Sequence, residues 1–289
     1  MPMTNEIKGI LWMSGAVLSF CAMAIAARAL LGHMGVAEIL FFRTGVALLI
    51  VLAVVLPQGV AQLRTRHFGT HVWRNLFHLG GQASWVIALG ALPLAMVFAI
   101  EFTAPIFTAV LAVFMLKERM NSGRIVMLAL GFIGVLVILR PGIAIVQPAA
   151  FVMLFGSFCF AVQMIATKRL SSVDSPLAVL FWMSVLQTPL CLAAALPGWT
   201  APSWADLPWI LAMGCGSFTA HYCLTSAMRH ADATVVVPVD FFRLPLIAVV
   251  GALFYDEAFD PMVFLGAALI FAGVWFNLVR EHRRVESPA

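Results

Sequence analysis

Long apolar runs, separated by short polar or proline- and glycine-rich stretches, fill almost the whole chain. A helix needs about 20 mostly apolar residues to cross a bilayer, and in hydrocarbon the backbone polar groups must be paired within the segment. The pattern therefore predicts an all-α integral membrane protein with ten transmembrane helices. These are spans 1 to 10, at residues 8–30, 36–56, 72–91, 95–116, 122–139, 149–169, 177–196, 205–228, 233–254 and 261–279.

The composition agrees with this pattern and excludes several classes of function. Hydrophobic residues make up 63% of the chain and charged residues 10%, whereas soluble domains carry about 25% charged residues. The five cysteines lie in apolar segments without CxxC or zinc-type spacing, so we expect no metal and no cofactor. The basic residues sit at span ends without interleaved aromatic residues, so we expect no nucleic-acid partner.

The lysines and arginines are distributed asymmetrically among the connections. If the N-terminus is cytoplasmic, 13 of the 17 basic residues fall on the cytoplasmic side, and only Arg28 and Arg140 fall on the outer side. Arg43 and Arg243 lie inside spans. Because the excess of Lys and Arg marks cytoplasmic loops, we expect both chain termini to be cytoplasmic.

The two halves of the chain repeat each other. A shift of 139 residues superimposes spans 4 and 5 on spans 9 and 10 with 11 identities among 46 positions, and it sets Glu101 opposite Asp240 and Phe102 opposite Phe241. Each half holds five spans, an odd number, so the second half starts on the opposite side of the membrane. Two inverted-topology repeats of this kind are typical of secondary transporters. We expect repeats at 8–140 and 149–280, followed by a cytoplasmic tail at 281–289.

Three stretches resemble the EamA family of the drug/metabolite transporter superfamily. They are AMVFAIEFTAPIFTAVLAVFMLKERMNSGRIVMLALGFIGVLVILRPG and ATVVVPVDFFRLPLIAVVGALFYDEAFDPMVFLGAALIFAGVW, which look like its two repeat signatures, and AEILFFRTGVALL, which is similar to its second span. The resemblance implies a bacterial inner-membrane carrier with a central cavity lined by spans 1–4 and 6–9. It implies that spans 5 and 10 lie at the periphery or in a homodimer contact. The turn Tyr255–Asp256–Glu257 departs from the Gly-Glu that the family often has there.

Span 9 reads VVVPVDFFRLPLIAVV around an acid and a base. A charge at the bilayer centre costs about 2.5–3.5 kcal/mol on insertion scales. We therefore expect Asp240 and Arg243, three residues apart on nearly one helix face, to neutralise each other and to bind substrate or couple transport. The alternative is an ion pair that only fixes helix packing. Glu101 in span 4 has no base within four positions, so we expect it to pair with Arg43 or Arg243, or to carry a proton.

Three prolines fall in the same two spans: Pro105 in span 4, and Pro238 and Pro245 in span 9. Proline removes an N–H and disturbs the preceding turn. We expect these prolines to break the helices and to free backbone carbonyls for a ligand or water. Interrupted spans at corresponding places in two halves indicate a transport site.

Polar and aromatic residues on spans 3 and 8 extend the candidate site. His78, Gln82 and Trp85 share one face of span 3. Span 8 contains His221 and Tyr222, and the 139-residue shift sets Gln82 opposite His221. We expect Trp85 and Tyr222 to stack on a flat or cationic ligand. Packing alone is the alternative interpretation of these histidines and aromatic residues.

Arg43 lies in span 2, five residues after Glu38, which is about 140° around a helix. We expect Glu38 to cap the start of the helix, and Arg43 to face the cavity and bind a carboxylate or to bridge to Glu101. We expect Glu118 and Glu257 to be structural and to accept N–H bonds at the start of the helix that follows each. Weaker candidates are Gln163, Trp182 and Gln187.

These features indicate a secondary active transporter of a small organic metabolite. The mixture of acids and bases suits an amino-acid-like, zwitterionic or amphipathic compound, and the family resemblance favours export. The chain has no GxxxxGK[ST] motif, so we expect an ion gradient, such as protons, or exchange to drive transport. The alternatives are an uptake carrier for a vitamin or nucleoside-type metabolite, such as riboflavin or S-adenosylmethionine, and an exporter of an opine-type metallophore.

Two other classes of protein fit less well. Membrane di-iron enzymes need several HxxxH boxes, and this chain has one, at His67 and His71. We expect those histidines to lie on a solvated face, and we expect no enzymatic activity. Channels are built as rings around a pore, and the long inverted repeat favours a carrier over a channel.

The orientation makes a testable prediction. Green fluorescent protein fused after Ala289 should fluoresce, and alkaline phosphatase fused there should be inactive, because the C-terminus is expected to be cytoplasmic. Alkaline phosphatase inserted after Gln147, between the repeats, should be active and serves as the control. Phosphatase activity after Ala289 would show that the orientation is inverted.

Overall fold

The computed structural model describes residues 4–115, 120–141, 146–170 and 173–286, and this part of the chain forms twelve α-helices. They are α1 Asn5–Leu30, α2 Val36–Val55, α3 Phe68–Ala91, α4 Leu94–Glu101, α5 Ala104–Met115, α6 Ser122–Leu139, α7 Pro148–Leu170, α8 Pro176–Ala195, α9 Leu207–His230, α10 Ala233–Phe241, α11 Arg243–Tyr255 and α12 Pro261–Glu286. Short 3-10 turns cover Leu56–Gln58, Val60–Leu63 and Leu196–Gly198. The predicted all-α membrane fold is confirmed, and spans 4 and 9 are each split into two helices.

Hydropathy separates two of the ten spans from the others. Eight segments of the described chain are long and apolar enough to cross a membrane, with α4–α5 and α10–α11 each forming one segment. The remaining helices, α3 and α9, are 24 residues long, or about 36 Å at 1.5 Å per residue, which is enough to span a bilayer. They carry intramembrane polar residues such as Arg74, His78 and His221, and such residues usually face the interior of a bundle.

Side-chain caps fix several helix starts. Thr4 accepts a hydrogen bond from the Ile7 N–H, Asn121 accepts one from Arg124, and Ser175 accepts one from Ala178, at 3.4, 2.9 and 3.0 Å. Each cap satisfies a backbone donor that the first turn leaves unpaired.

At the other end of the chain, α12 runs to Glu286, so the expected tail at 281–289 begins as helix. Its first residues include Glu and Arg, which favour helix.

Helix contacts between the two repeats occur in mirrored pairs. The first helix of each repeat packs on the third spanning segment of the other: α1 on α9, and α7 on α3. The second segments pack on each other (α2 on α8), as do the fifth (α6 on α12), and α4 of the fourth segment packs on α11 of the ninth. Exchanging the repeats maps each of these contacts between spanning segments onto itself or onto another of them, as a pseudo-two-fold axis between inverted repeats requires.

The α6–α12 contact depends on small residues. A Cβ on Gly134 would lie 2.6 Å from the Gly266 carbonyl oxygen and 2.7 Å from Cγ1 of Ile270, and a Cβ on Gly266 would lie 2.5 Å from Cγ1 of Ile138. Glycine at such crossings lets two backbones approach closely in a bilayer, where van der Waals packing drives helix association. This pair therefore joins the repeats away from the polar residues.

The close crossing predicts that Gly134→Ala will destabilise the protein, by about 1–3 kcal/mol if the cost resembles that of overpacking a core. Gly45→Ala is the matched control, because a Cβ on Gly45 meets nothing within 4 Å and alanine favours helix. Thermal unfolding of both variants in detergent should show a lower Tm for Gly134→Ala alone. Equal Tm values would mean that the crossing relaxes without cost.

Candidate functional site

The interruptions of spans 4 and 9 lie at corresponding places in the two repeats. The first falls at Phe102 and Thr103, between α4 and α5, and the second falls at Phe242, between α10 and α11. Pro105 and Pro245 lie in the first turn of the helix that follows each break, where a missing N–H is tolerated. Both prolines therefore lie directly after a break, and their role as helix breakers stays a prediction.

Pro238 behaves differently from the other two prolines. It lies inside α10, which continues through it to Phe241, so its assignment as a helix breaker was wrong. A proline at this position removes one backbone N–H donor in the second turn, and the surrounding backbone remains helical. The break in span 9 thus lies three residues before Pro245 and not at Pro238.

One guanidinium bridges the two breaks. Arg243, the first residue of α11, places Nη1 3.1 Å from Oε1 of Glu101 and Nη2 2.9 Å from Oδ2 of Asp240. Glu101 is the last residue of α4, so the bridge joins the two repeats. The predicted pairing of Asp240 with Arg243 is present, although the two residues lie on separate helices across Phe242. Arg43 and Arg243 were the two partners expected for Glu101, and in the structure Glu101 pairs with Arg243.

Aromatic rings surround this bridge. The guanidinium carbon of Arg243 lies 4.8, 5.4 and 5.1 Å from the ring centres of Phe20, Phe98 and Phe102, within the range of cation–π attraction. Phe102 also stacks on Phe241 with ring centres 4.0 Å apart and planes 17° apart. These two rings are the pair that the 139-residue shift superimposes. Flat, apolar surfaces and charges are therefore combined at the point where the repeats meet.

Trp85 connects α3 to the same group. Its Nε1–H donates to Oε2 of Glu101 at 2.9 Å, and its ring lies 6.1 Å from that of Phe98. Glu101 thus receives one bond from each repeat. If all three charged groups are ionised, Glu101, Asp240 and Arg243 together carry one net negative charge. We call these residues, with Trp85 and the surrounding phenylalanines, the bridge cluster.

A second polar group occupies α2, α3, α8 and α9, and we call it the arginine cluster. It contains Arg43, Arg74, Asn75, His78, Gln187 and His221. Gln187 Nε2 lies 3.2 Å from Oδ1 of Asn75 and 2.9 Å from Nδ1 of His78, and the rings of His78 and His221 are 5.5 Å apart. Arg74 donates to Asn75 at 3.0 Å and to Thr167 at 2.8 Å. All of these side chains except His221 are buried.

Arg43 lies in the arginine cluster and not beside Glu101. It is fully buried, and none of its three guanidinium nitrogens has a hydrogen-bond partner among the described residues. The alternative interpretation, an internal bridge from Arg43 to Glu101, was wrong, because Glu101 bonds to Arg243 and Trp85. Gln82 is also buried, with its Oε1 unpaired within the same part of the chain.

Tyr222 lies apart from both clusters. Its side chain is 40% exposed, stacks on Phe218 at 5.9 Å and meets the edge of Trp12 at 5.8 Å. His221, one residue earlier, points toward Phe20 and His78, because neighbouring helical positions differ by about 100°. The two residues that the sequence places together in span 8 therefore face different surroundings.

The weaker candidates lie in different places, and several residues around the two clusters were not predicted from the sequence. Gln187 lies at the centre of the arginine cluster, Gln163 bonds to Thr167 at 2.8 Å, and Trp182 donates to the Leu63 carbonyl at 2.9 Å. The residues that were not predicted are Asn75, Phe20 and Phe98. Asn75 could have been found, because an amide inside a spanning helix usually faces the bundle interior. The two phenylalanines have no local signal that separates them from lipid-facing rings.

Two acidic side chains, Glu257 and Glu38, have partners that were not expected. Glu257 accepts the Leu94 N–H at 2.7 Å and pairs with Arg28, so it caps the start of α4 and not the helix that follows it. Glu38 accepts the Thr200 N–H at 3.3 Å, while the helix cap of α2 is Gly35. The equivalent prediction for Glu118 lies outside the described residues. Glu257 and Glu38 each accept a hydrogen bond from a donor that is distant in sequence.

His71 is also placed differently from its prediction. It lies in α3, is fully buried, and its Nε2 is 2.7 Å from Oδ2 of Asp174, which also accepts from Thr65 at 2.7 Å. His67 is exposed. A solvated face was therefore the wrong interpretation for His71, which joins α3 to the connection before α8. No group of three or more His, Cys, Asp or Glu side chains in the described ranges could hold a metal ion.

Comparison with known proteins identifies relatives of nearly full length. Residues 7–140 and 147–279 each match the EamA-like transporter family. The chain is 32% identical to a riboflavin transporter of Rhizobium johnstonii, over 99% of this chain and 96% of that protein. It is 30% identical to a riboflavin transporter of Vibrio cholerae, over 94% and 93%, and 26% identical to an S-adenosylmethionine uptake transporter of Rickettsia prowazekii, over 97% and 96%.

A solved crystal structure supports the fold. It matches with a TM-score of 0.66 at 18% identity, over 94% of this chain and 97% of that one. At this level of identity the likeness concerns the arrangement of helices alone.

The geometry of the bridge predicts that Arg243→Lys will lower thermal stability. Two separate guanidinium nitrogens contact two acids, and the point charge of a lysine cannot reproduce that fork. The control is Arg229→Lys, at an exposed position near the end of α9, which should leave the Tm unchanged. The measurement is thermal unfolding of the purified variants in one detergent. Equal Tm values for both variants would show that the bridge does not stabilise the resting protein.

Proposed function

Because the chain belongs to the EamA-like transporter family, we propose that it is a secondary carrier that takes up a metabolite with a flat nitrogen heterocycle, such as a flavin or an adenosyl compound. The observation that carries this proposal is the bridge cluster, in which charges and aromatic faces meet at the breaks of both repeats. The relatives at 32%, 30% and 26% identity are named for riboflavin and for S-adenosylmethionine uptake. They favour the uptake alternative over the export of an amino-acid-like compound that the sequence first suggested.

The bridge cluster suits such a ligand for two physical reasons. The rings of Phe20, Phe98 and Phe102 around Arg243 offer faces on which a heterocycle can stack, and aromatic pairs contribute about 0.5–1.5 kcal/mol beyond the area they bury. The carboxylates of Glu101 and Asp240 accept hydrogen bonds, and Asp240 keeps Oδ1 unpaired within the described chain. The exocyclic and ring N–H groups of a heterocycle are the donors that such oxygens bind.

The transport cycle follows from the repeats. Alternating access in inverted-repeat carriers moves one repeat against the other around a fixed central site. The contact of Glu257 with Arg28 and the start of α4 would hold one end of the bundle closed, and the contact of His71 with Asp174 would hold the other. Because Glu101 and Asp240 share Arg243, protonation of either acid would weaken one of the two contacts and make one guanidinium nitrogen available to a ligand. This makes the pair our candidates for proton coupling in the inner membrane.

Uptake assays test the proposal directly. The wild-type protein, expressed in a bacterium that neither makes nor imports riboflavin, should support growth on micromolar riboflavin, or membrane vesicles should accumulate labelled S-adenosylmethionine. Asp240→Asn and Arg243→Gln should each reduce uptake by at least tenfold at equal membrane abundance. Asp240→Asn removes the carboxylate that keeps an unpaired acceptor oxygen, and Arg243→Gln leaves Glu101 and Asp240 without the base that they share.

The control variant is Arg229→Gln, which removes one exposed positive charge from the end of α9 and should transport normally. If the correctly inserted wild-type protein takes up neither compound, the proposed substrate class is wrong. If Asp240→Asn and Arg243→Gln both transport at the wild-type rate, the bridge cluster serves packing and the binding site lies elsewhere.

A further inference from the structure

Arg43 presents a buried positive charge that the described chain does not neutralise. Its exposed fraction is 0%, and Nε, Nη1 and Nη2 all lack a hydrogen-bond partner among the described residues. An isolated charge away from water is strongly unfavourable, and proteins normally pair it or bind an ion there. The arrangement therefore leaves a set of five N–H donors, fixed in a plane, without an acceptor.

The surroundings of Arg43 add positive charge. Arg74 is buried close enough to add a second positive charge, and the rings of His78 and His221 lie in the same cluster. The hydrogen bonds of Arg74 go to Thr167 and to its neighbour Asn75, which are both uncharged. No carboxylate in the described ranges forms an ion pair with either arginine. The arginine cluster thus contains two guanidinium groups, and none of the described residues serves as their counter-ion.

Glu38 does not supply the missing charge, although it lies on the same helix. Five residues separate it from Arg43, so the two side chains point about 140° apart. Its Oε2 accepts the Thr200 N–H at 3.3 Å, in the connection before α9. The nearest acid in sequence is therefore directed away from the arginine cluster.

The protonation of His78 adds a further donor. Nε2 of Gln187 faces the Asn75 carbonyl and Oδ1, which can only accept, so this atom of the amide is the NH₂ group. The same NH₂ lies 2.9 Å from Nδ1 of His78, which must then accept. A neutral imidazole whose Nδ1 accepts carries its proton on Nε2, and that Nε2 is buried without a partner among the described residues.

We propose that Arg43, with Nε2–H of His78 and with Arg74 and His221 nearby, forms a binding subsite for an anionic group: a carboxylate or phosphate of the transported molecule, or a free halide ion. It is separate from the bridge cluster. Only the identity of the molecule that carries the anion rests on the proposed function. The chemistry of the subsite follows from unpaired, buried donors around two positive charges.

The two clusters lie in series. The guanidinium of Arg243 packs over Phe20, the Phe20 ring is 6.1 Å from His221, and the His221 ring is 5.5 Å from His78. One ligand could therefore stack along Phe20 with a cationic or N–H-bearing end at Glu101 and Asp240 and an anionic end at Arg43. S-adenosylmethionine carries a sulfonium, an amine and a carboxylate and matches both clusters. Riboflavin is uncharged, and its phosphorylated form would match the arginine cluster better.

Binding measurements on the purified full chain test the subsite with two matched ligand pairs. The pairs are S-adenosylmethionine against its decarboxylated form, and flavin mononucleotide against riboflavin, each titrated by calorimetry in sodium HEPES without halide. In at least one pair the wild-type protein should bind the member with the added anionic group at least tenfold more tightly. In Arg43→Gln the ratio of the two Kd values within that pair should fall to about one. Arg229→Gln, which loses an exposed charge, should keep the wild-type ratio of Kd values.

A second measurement separates a free ion from a group on the ligand. Sodium chloride, added at constant ionic strength, should raise the Tm of the wild-type protein and not that of Arg43→Gln if a halide fills the subsite. A chloride response together with ratios of one in both pairs would assign the subsite to the free ion. A preference for the anionic ligands without a chloride response would assign it to the ligand.

The Tm of the unliganded protein shows whether a variant has lost ligand binding because it is misfolded. Because Arg43 is an unneutralised buried charge, Arg43→Met should raise the Tm in halide-free buffer, whereas loss of a structural arginine would lower it. If no compound of either pair binds but chloride stabilises the wild-type protein alone, the proposed substrates are wrong and the subsite stands. If Arg43→Gln and Arg43→Met keep the wild-type ligand ratios and the wild-type chloride response, the subsite proposal is overturned.

Discussion

The bridge from Arg243 to Glu101 and Asp240 is the interaction on which the centre of this protein depends. A charge in a bilayer is tolerated when a partner neutralises it, and here one guanidinium serves two acids that belong to different repeats. The breaks in spans 4 and 9 make this possible, because they bring the end of α4 and the start of α11 together. Any movement of one repeat against the other must therefore strain, exchange or release the contact between Arg243 and Glu101.

The two repeats share a fold and differ in chemistry at equivalent positions. The main contacts between the spanning segments of the two repeats occur in mirrored pairs, and Phe102 stacks on its counterpart Phe241. The 139-residue shift, however, sets Arg243 opposite Ala104 and His221 opposite Gln82. A symmetric backbone allows both sides of the membrane to open by the same movement, while asymmetric side chains allow the site to bind a molecule that has no symmetry itself.

Polar residues in α3 and α9 lower the hydropathy of these helices below that of the other spans. Both helices are nevertheless part of the bundle, because their polar faces pack inward and several of their polar side chains form hydrogen bonds there. Arg43, on the neighbouring helix α2, has no hydrogen-bond partner within the described chain. A buried charge normally has a partner, and exceptions to such rules tend to occur at functional sites. The unpaired guanidinium of Arg43 is for this reason our candidate for binding an anion.

The sequence by itself determined the number of spans, the repeat and most helix ends, because apolar length, proline and capping residues act locally. It also identified the polar residues that cannot face lipid, including Glu101, Arg43 and Asp240. Only the tertiary structure decided which partners they have. Glu101 and Arg243 are 142 positions apart in the chain, and Glu257 reaches Leu94 across 163. Hydropathy carries no information about such pairs, since they depend on how distant helices meet; for the same reason the burial of His71 and the isolation of Arg43 could not be read from the chain.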